Sequence, residues 1–426
     1  MTRYRTATYV PNNQLVTVRL CLGTALSLVL MGFLCNTPRE VAQGLLSYVR
    51  CSDVLITDYF VVGNTGAAFV NSGLVMLMSI VLAIKVKTSF TGSTVAMLFL
   101  MAGFALFGKN PVTILPFFLG VWIYCRIHAQ PMSRYINAAL CSTTLTPVVT
   151  ELMRAPGLPK PLNLLCAAGA GILMGYLIIP LADHAFSAHM GYTLFNYGFA
   201  GGMMALLIAS VVKAMGFEVA TRNIWKVGFD GRVLAFLLCY VAALLLFGLW
   251  LSGWHCTAAI RILRHSGRAP TDFIFTDGIG AAMVNMSMMG LMSIGYILLI
   301  KGDFNGPVVG AILTSIGFGA AGAHPRNAAP AMAGVYLASL VMVHVPGDPG
   351  MQLAALFSTA LAPIAGEFGW YFGVISGFFH TAVVLSVVTP CGGYNLYNNG
   401  FSAGLVAMIM VGLIHGLSTK KHRKNH

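Results

Sequence analysis

Long apolar stretches alternate with short polar segments along nearly the whole chain. About twelve of these stretches approach or exceed the ~18–20 residues that cross a bilayer core as a helix. They cover roughly residues 16–36, 62–84, 91–108, 110–127, 163–183, 197–214, 233–252, 278–300, 306–323, 327–345, 370–389 and 397–417. The alternation of apolar and polar positions typical of strands is absent, so the pattern predicts helices and not a barrel. We expect an all-α polytopic membrane protein with about 12 transmembrane helices.

The second half of the chain repeats motifs of the first half in the same order. Residues 57–80 and 271–294 are identical at eleven of 24 positions, at an offset of 214. The decapeptides 142–151 and 358–367 share Ser, Thr, Leu, Pro and Glu. Similarity at a nearly constant offset is typical of an internal duplication. We therefore expect pseudo-symmetry between two homologous halves of six helices each.

The duplication predicts a simple division of the chain. The first transmembrane repeat covers 1–215 with its core at 57–214, a cytoplasmic linker covers 216–232, the second repeat covers 233–419 with its core at 271–416, and a basic tail covers 420–426.

Each half also contains one decapeptide that is too short and too polar for a clear span. If this segment is re-entrant, the halves are parallel; if it crosses the membrane, they are inverted.

Composition agrees with a membrane protein and bears on its orientation. The chain is 57% hydrophobic and 9% charged, with 25 Lys and Arg against 12 Asp and Glu. Its mean hydropathy is +0.80. The basic residues lie mostly between spans, so positive-inside topology explains the net charge and nucleic acid is not expected as a partner. The parallel arrangement puts 18 basic residues inside and 7 outside and the inverted one 15 and 10, so parallel halves with cytoplasmic termini in the inner membrane are favoured.

Two glutamates are the first candidates for chemistry. Glu151 and Glu367 close the two decapeptides, after a proline and a Ser-Thr pair. A carboxylate at membrane depth is costly, so its presence suggests ion coupling. We expect Glu151 and Glu367 to bind H⁺ or Na⁺ beside interrupted backbone, with hydroxyls from Ser142, Thr143, Ser358 and Thr359. The alternative is that both glutamates are helix-end charges at the membrane surface.

Two proline-containing interruptions form the second candidate. One contains Lys109, Asn110 and Pro111, and the other contains His324, Pro325, Arg326 and Asn327. A half-helix that begins inside the membrane offers unpaired N–H groups and a positive dipole to an anion. The basic side chains would reinforce such a site. Ordinary turns at the membrane face remain the alternative.

Four further asparagines occur at matching positions. Asn71 and Asn285 lie within Gly-Ala-Ala-x-Val-Asn on predicted spans, where they would line a substrate path or bond a facing helix. Asn196 and Asn398 precede the last span of each half and would cap it or expose carbonyl groups. The sequence contains no nucleotide-binding or metal-ligand motif, so no cofactor and no metal is expected.

Three motifs carry a resemblance to a known family. Gly-Ala-Ala-x-Val-Asn, the break Gly322–Asn327 and the stretch Tyr394–Phe401 resemble a bacterial family of multi-pass membrane proteins defined only as a domain of unknown function. The resemblance covers nearly the whole chain. It implies an inner-membrane location and no established substrate or site residues.

The leading functional hypothesis is a secondary transporter for a small polar solute, with an anion preferred because the breaks carry basic residues. Duplicated halves with broken helices suit alternating access, and the absence of a nucleotide motif points to an ion gradient. A channel for a small neutral solute and an intramembrane enzyme are the alternatives. An enzyme would have one polar cluster, whereas a transporter would share one between its halves. The expected partners are the lipid bilayer and the substrate, and a homo-oligomer is an open alternative.

Overall fold

The structure is a computed structural model that describes residues 12–157, 159–217 and 221–422. The side chains of Asn12 and of residues 418–422 are not included in this description. Most of the expected basic tail therefore lies outside the described residues.

The regular secondary structure of the described residues is helical, apart from one isolated parallel bridge between Thr57 and Ile224. The first ten helices, here the N-terminal set, are α1 (Asn12–Cys35), α2 (Pro38–Arg50), α3 (Tyr59–Val62), α4 (Thr65–Lys85), α5 (Gly92–Phe104), α6 (Leu115–Ile127), α7 (Ile136–Ser142), α8 (Thr146–Leu152), α9 (Lys160–His189) and α10 (Asn196–Ala214). The C-terminal set is α11 (Gly231–Leu251), α12 (Thr257–Ile262), α13 (Phe273–Thr276), α14 (Ile279–Leu299), α15 (Gly306–Phe318), α16 (Pro325–Ser339), α17 (Pro349–Phe357), α18 (Ala362–Phe368), α19 (Trp370–Val387) and α20 (Asn398–His422).

Nine helical runs in the described part of the chain are long and apolar enough to cross a membrane. They agree with a polytopic membrane protein, but their number is lower than the approximately twelve spans that the sequence predicts. The stretches 91–108, 110–127 and 306–323 each contain a helix of only 13 residues. Apolarity does not mark where these helices end, because the residues after them, such as Ala105 and Leu106, are also buried in the protein.

The second decapeptide belongs to a long helical run. Pro349–Phe368 contains α17, a 3₁₀ turn at Ser358–Leu361 and α18, and it is one of the nine candidate spans. The decapeptide is therefore part of a longer helical run that begins upstream of the motif, at Pro349, so its length does not argue against a crossing. The first decapeptide is broken in the same way, by a 3₁₀ turn at Thr143–Leu145.

Helices α5 and α15 pack against each other and run antiparallel. The amide of Gly92, at the start of α5, donates to Asp272 (2.9 Å), and Phe273 donates to the carbonyl of Ala320 just beyond α15. At the opposite end, the amide of Gly306 donates to Asp58 (3.2 Å). The start of each helix thus lies beside the end of the other.

The backbones of α5 and α15 approach too closely for a side chain at their crossing. A Cβ atom on Gly103 would lie 2.3 Å from the carbonyl oxygen of Gly310, and the reverse distance would be 2.4 Å. Small residues at such crossings allow the dense packing that holds helices together in a membrane.

The first turns of α10 and α20 also meet. A Cβ atom on Gly198 would lie 2.9 Å from the Cα of Gly400. The rings of Phe199 and Phe401 stack with centroids 6.1 Å apart. Two helices therefore begin at one point in the interior, and both direct the positive end of their dipoles towards it.

Candidate functional site

Two interruptions of the helices each contact residues of the opposite set. The first break is residues 105–114, between α5 and α6, and the second break is residues 319–324, between α15 and α16. Both contain backbone carbonyls that no longer have a helical partner.

One asparagine satisfies these carbonyls at each break. The side-chain amide of Asn71 donates to Ala105 and Lys109, both at 2.7 Å. The amide of Asn285 donates to Gly319 at 2.7 Å and to Ala323 at 2.8 Å. Asn71 and Asn285 therefore bond a neighbouring part of the helix framework, which is one of the two roles that the sequence left open.

Lys109 in the first break is completely buried. Its Nζ donates to Thr143 Oγ1 (2.7 Å) and to the hydroxyl of Tyr397, and it lies 4.4 Å from the centroid of the Tyr397 ring. Met101 Sδ lies 3.4 Å away. Among the described residues, no carboxylate lies within 4.0 Å of this amine. The polar contacts of Lys109 come from both sets of helices, because Thr143 precedes α8 and Tyr397 precedes α20.

A second set of bonds ties the same two segments together. Thr144 Oγ1 donates to Asn395 Oδ1 (2.5 Å), and the amide of Tyr397 donates to Thr144 Oγ1 (3.0 Å). The amide of Leu396 donates to the carbonyl of Thr144 (2.9 Å). These contacts hold the Tyr397 hydroxyl beside the amine of Lys109.

A small cavity adjoins Tyr397 and the meeting point of α10 and α20. Phe104, Cys141, Gly198, Tyr397 and Gly400 are among the residues that line it, and its volume is about 20 Å³. This is room for about one water molecule. The structure is therefore closed around the site.

Asp53 and Tyr59 extend the polar cluster beyond Asn110. The hydroxyl of Tyr59 donates to Asp53 Oδ1 (2.6 Å), and the Asn110 side chain lies beside the same hydroxyl. Asp53 is fully buried, and its Oδ2 has no hydrogen-bond partner among the described residues. Burial raises the pKa of Asp53 to about 7.

The second break has different chemistry in the same framework. Ala323 contributes only a methyl group where the first break carries Lys109. His324 caps α16: its ring accepts from the amide of Asn327, and its Nε2 lies 2.9 Å from the carbonyl of His265. Arg326 is exposed, with a contact of 3.5 Å to the carbonyl of Leu263. The first break therefore buries a lysine, whereas the second break buries His324 and leaves Arg326 exposed.

The two glutamates are not enclosed in the interior of the described structure. Glu151 is half-buried and accepts a hydrogen bond from Ser52. Glu367 is exposed in the last turn of α18. Their depth in a membrane and their binding of H⁺ or Na⁺ stay predictions.

The hydroxyls of the Ser-Thr pairs bond their own helices and not the glutamates. Ser142 donates to Ala139, and Ser358 donates to Ala355, both at 2.7 Å. Thr359 donates to the carbonyl of Leu356 (2.9 Å). Of the four hydroxyls, only that of Thr143 also contacts a buried ionisable side chain, Lys109.

The two remaining asparagine candidates differ from each other. Asn196 bonds His189 (2.9 Å) and the carbonyl of Ala182 (3.1 Å), so it fastens the start of α10 to α9. Asn398 is 2% exposed, and neither side-chain polar atom has a partner among the described residues. It lines a cavity of about 50 Å³ beside Leu55 and Phe107.

Sequence reasoning missed Asp53, Tyr59 and Tyr397 as members of the central cluster. Their neighbours are distant in sequence, so no local motif signals them. A usable signal was asymmetry within the repeat: at the offset of 214, Asp53 corresponds to Gly267 and Lys109 to Ala323. A charged residue present in only one of two similar segments is a candidate for a specific role.

Comparisons with known proteins give a family and no activity. Neither the curated proteins nor the solved structures contain a match to this chain. The profile of one family matches residues 37–214 and 253–416, which together exceed half of the chain. The chain therefore belongs to the family described as "Protein of unknown function (DUF1576)".

Proposed function

We propose that this protein is a secondary transporter that moves a small anionic solute across a membrane, with Lys109 as the fixed positive charge of its binding site. The observation that carries the proposal is the complete burial of this amine without a neighbouring carboxylate among the residues that the structure describes. Ionisable groups inside membrane proteins are costly and mark substrate or ion pathways by default. An anion that enters beside Lys109 would supply the missing counter-charge.

Three features support an anion as the substrate. The amine of Lys109 and the hydroxyls of Thr143 and Tyr397 converge at one point. The first turns of α10 and α20 add the positive ends of two helix dipoles. Gly198 and Gly400, which belong to these turns, line the cavity beside Tyr397. Broken helices that direct their N-termini at an anion are a recurring design of secondary transporters.

We also infer that the N-terminal and C-terminal sets are inverted repeats. The antiparallel α5 and α15 occupy matching places in the order of helices, which supports a pseudo-two-fold axis across them. Asn71 and Asn285 make matching pairs of bonds at an offset of 214. This inference replaces the parallel arrangement that charge counting favoured by a small margin.

Inversion changes the expected topology of the linker. Each set then crosses the membrane an odd number of times, so the linker 216–232 lies on the face opposite both termini. The backbones of Arg222 and Ile224, in the linker, form hydrogen bonds with those of Ile56 and Asp58. Ile56 and Asp58 follow the C-terminal end of α1, which is the end away from the N-terminus of the chain. If both termini are cytoplasmic, this proposal therefore puts the linker on the other side of the membrane.

The shared cluster suits alternating access better than the alternatives. Lys109 and Thr144 belong to the N-terminal set, and their partners Tyr397 and Asn395 precede the last helix of the C-terminal set. Relative movement of the two sets would make and break these bonds, which opens the site to one face and then the other. An intramembrane enzyme does not need a cluster shared between the sets.

Transport by the purified full-length protein in proteoliposomes tests the proposal. The probes are radiolabelled phosphate, sulfate, acetate and succinate, after a thermal-stability screen in which a bound anion raises the melting temperature. We expect uptake of at least one probe, which Lys109→Met abolishes because the counter-charge is lost.

The matched control is Arg326→Met, which removes an exposed cation at the second break and should retain uptake. Unchanged uptake by folded Lys109→Met would contradict the proposed role of the amine. Absence of both binding and uptake for every anion would contradict an anionic substrate.

A further inference from the structure

Asp53 lies in the segment 51–58, between α2 and α3, outside the candidate spans. Its carboxylate is completely buried, and only one of its two oxygens has a hydrogen-bond donor, the hydroxyl of Tyr59. A buried charged oxygen without a donor is costly. Protonation of Oδ2 removes that cost, so the geometry favours a carboxyl group that holds a proton.

The groups around Asp53 oppose one another. Tyr59, from α3, donates to Oδ1 and favours the charged form, as does the charge of Arg154 after α8. Burial and the charge of Glu151, in α8, favour the neutral form. Cys51 lies in the same segment, and its thiol has a raised pKa, chiefly because of burial. Burial is the largest effect on Asp53 and raises its pKa to about 7, so both forms are accessible near neutral pH.

Polar groups lead from Asp53 in two directions. Towards the surface, the adjacent Ser52 donates to Glu151, which is half-exposed. Towards the interior, Tyr59 lies beside Asn110, the residue next to Lys109. Asp53 therefore lies between a solvent-accessible carboxylate and the buried amine.

We propose that Asp53 binds and releases the proton that couples anion transport to a pH gradient. Uptake of one proton forms an O–H bond at Oδ2 and converts the carboxylate to a neutral acid, and release reverses this step. No oxidant or further reactant is needed. The coupling role rests on the proposed transport function, whereas proton binding by Asp53 does not.

The arrangement gives the proton and the anion a physical connection. Neutral Asp53 removes one negative charge from the segment that Tyr59 and Asn110 join to Lys109, which favours an incoming anion. Loss of the proton restores that charge and opposes the anion. Proton and anion would therefore enter together, as in symport.

Infrared titration of the purified full-length protein tests proton binding without any substrate. A carboxylic acid gives a C=O stretching band that disappears on ionisation. We expect a band with a midpoint of about pH 7, above the midpoint of about pH 6 for Asp58, and we expect this band to be lost in Asp53→Asn. Glu367→Gln, which removes an exposed carboxylate of the other set, should retain the band. Absence of a band between about pH 5 and 9, or its persistence in Asp53→Asn, would overturn the proposal.

Tyr59→Phe gives a second measurement if Asp53→Asn does not fold. Loss of the hydroxyl removes a donor to the charged form, so the midpoint should rise by about one pH unit. An unchanged midpoint would show that the titrating group is not Asp53.

Coupling is tested with the anion probe that the wild type transports. Asp53→Asn should exchange labelled for unlabelled anion across the membrane and should lose accumulation driven by a pH gradient. Retained gradient-driven accumulation would overturn coupling by Asp53. A titrating band in a protein that moves no anion would overturn the transport function and leave the proton site in place.

Discussion

The first and second breaks have the same pattern of asparagine hydrogen bonds to the backbone, but they bury different side chains. At each, one asparagine donates to two freed carbonyls, with distances between 2.7 and 2.8 Å. The first break then buries Lys109, whereas the second has Ala323 at the matching offset. The framework therefore does not require the amine. A charged group that a fold does not need, and that costs free energy to bury, is best explained by function.

The partners of Lys109 vary in the same way. At the offsets of the repeat, Thr143 corresponds to Thr359, but Tyr397 corresponds to Phe195. The second break thus lacks the phenolic hydroxyl that accepts from the lysine in the first break. The difference involves an interacting pair and not one isolated substitution, which is the pattern expected for a site.

The largest predicted effect concerns the side of the membrane to which corresponding parts of the two sets are exposed. In a background without the nine native cysteines, Arg154→Cys and Arg268→Cys introduce thiols at exposed positions near the first and second breaks. With inverted sets, a membrane-impermeant thiol reagent should label each variant from one face only, and the two faces should be opposite. Labelling of both from the same face would contradict inversion and support parallel sets.

The next effect concerns transfer of the lysine to the second break. Ala323→Lys should reduce the free energy of unfolding by about 3–5 kcal/mol, because it buries an ammonium group without a tyrosine acceptor. Phe195→Tyr in the same protein should restore part of this loss by supplying that acceptor. Chemical unfolding in detergent measures both. Equal stability of Ala323→Lys and the wild type would indicate that the breaks tolerate a buried amine without specific partners.

Part of this comparison could be predicted from sequence. The matching Asn71 and Asn285 indicated bonds to a neighbouring helix, because an amide in a membrane span needs a partner. The role of Glu151 and Glu367 could not be derived in the same way. Repetition marked both residues, but duplication copies helix ends as faithfully as binding sites and does not distinguish them. The contacts of Lys109 with Tyr397 join residues 288 positions apart, and such pairs are set by packing that no local motif encodes.

The two framework asparagines should have equal and moderate effects. Asn71→Ala and Asn285→Ala each leave two buried carbonyls without their amide donor, so each should cost about 1–3 kcal/mol. Thermal unfolding of the single variants measures the cost. Ser287→Ala, which removes one hydrogen bond on the same helix as Asn285 (2.8 Å to Val241), is the control and should cost less. A clearly larger effect of Asn71→Ala would mean that this residue does more than support the framework.

The smallest effect concerns the two aspartates that join the sets. Asp58 accepts from the amide of Gly306, and Asp272 accepts from the amide of Gly92. Burial raises the pKa of Asp58 from 3.8 to about 6 and raises that of Asp272 as well. Because the native state holds these protons more tightly than the unfolded state, stability should fall as the pH rises from about 4 to about 6.

Asparagine does not titrate, and its side-chain carbonyl oxygen can still accept a hydrogen bond. Asp58→Asn should therefore flatten the decrease in stability over this pH window and should change stability at pH 8 by no more than about 1 kcal/mol. Asp272→Asn should behave in the same way, since both carboxylates cap a helix of the opposite set. Unfolding curves measured at several pH values provide the test. A steep pH dependence that persists in the double variant would assign it to another buried carboxyl group, of which Asp53 is the first to examine.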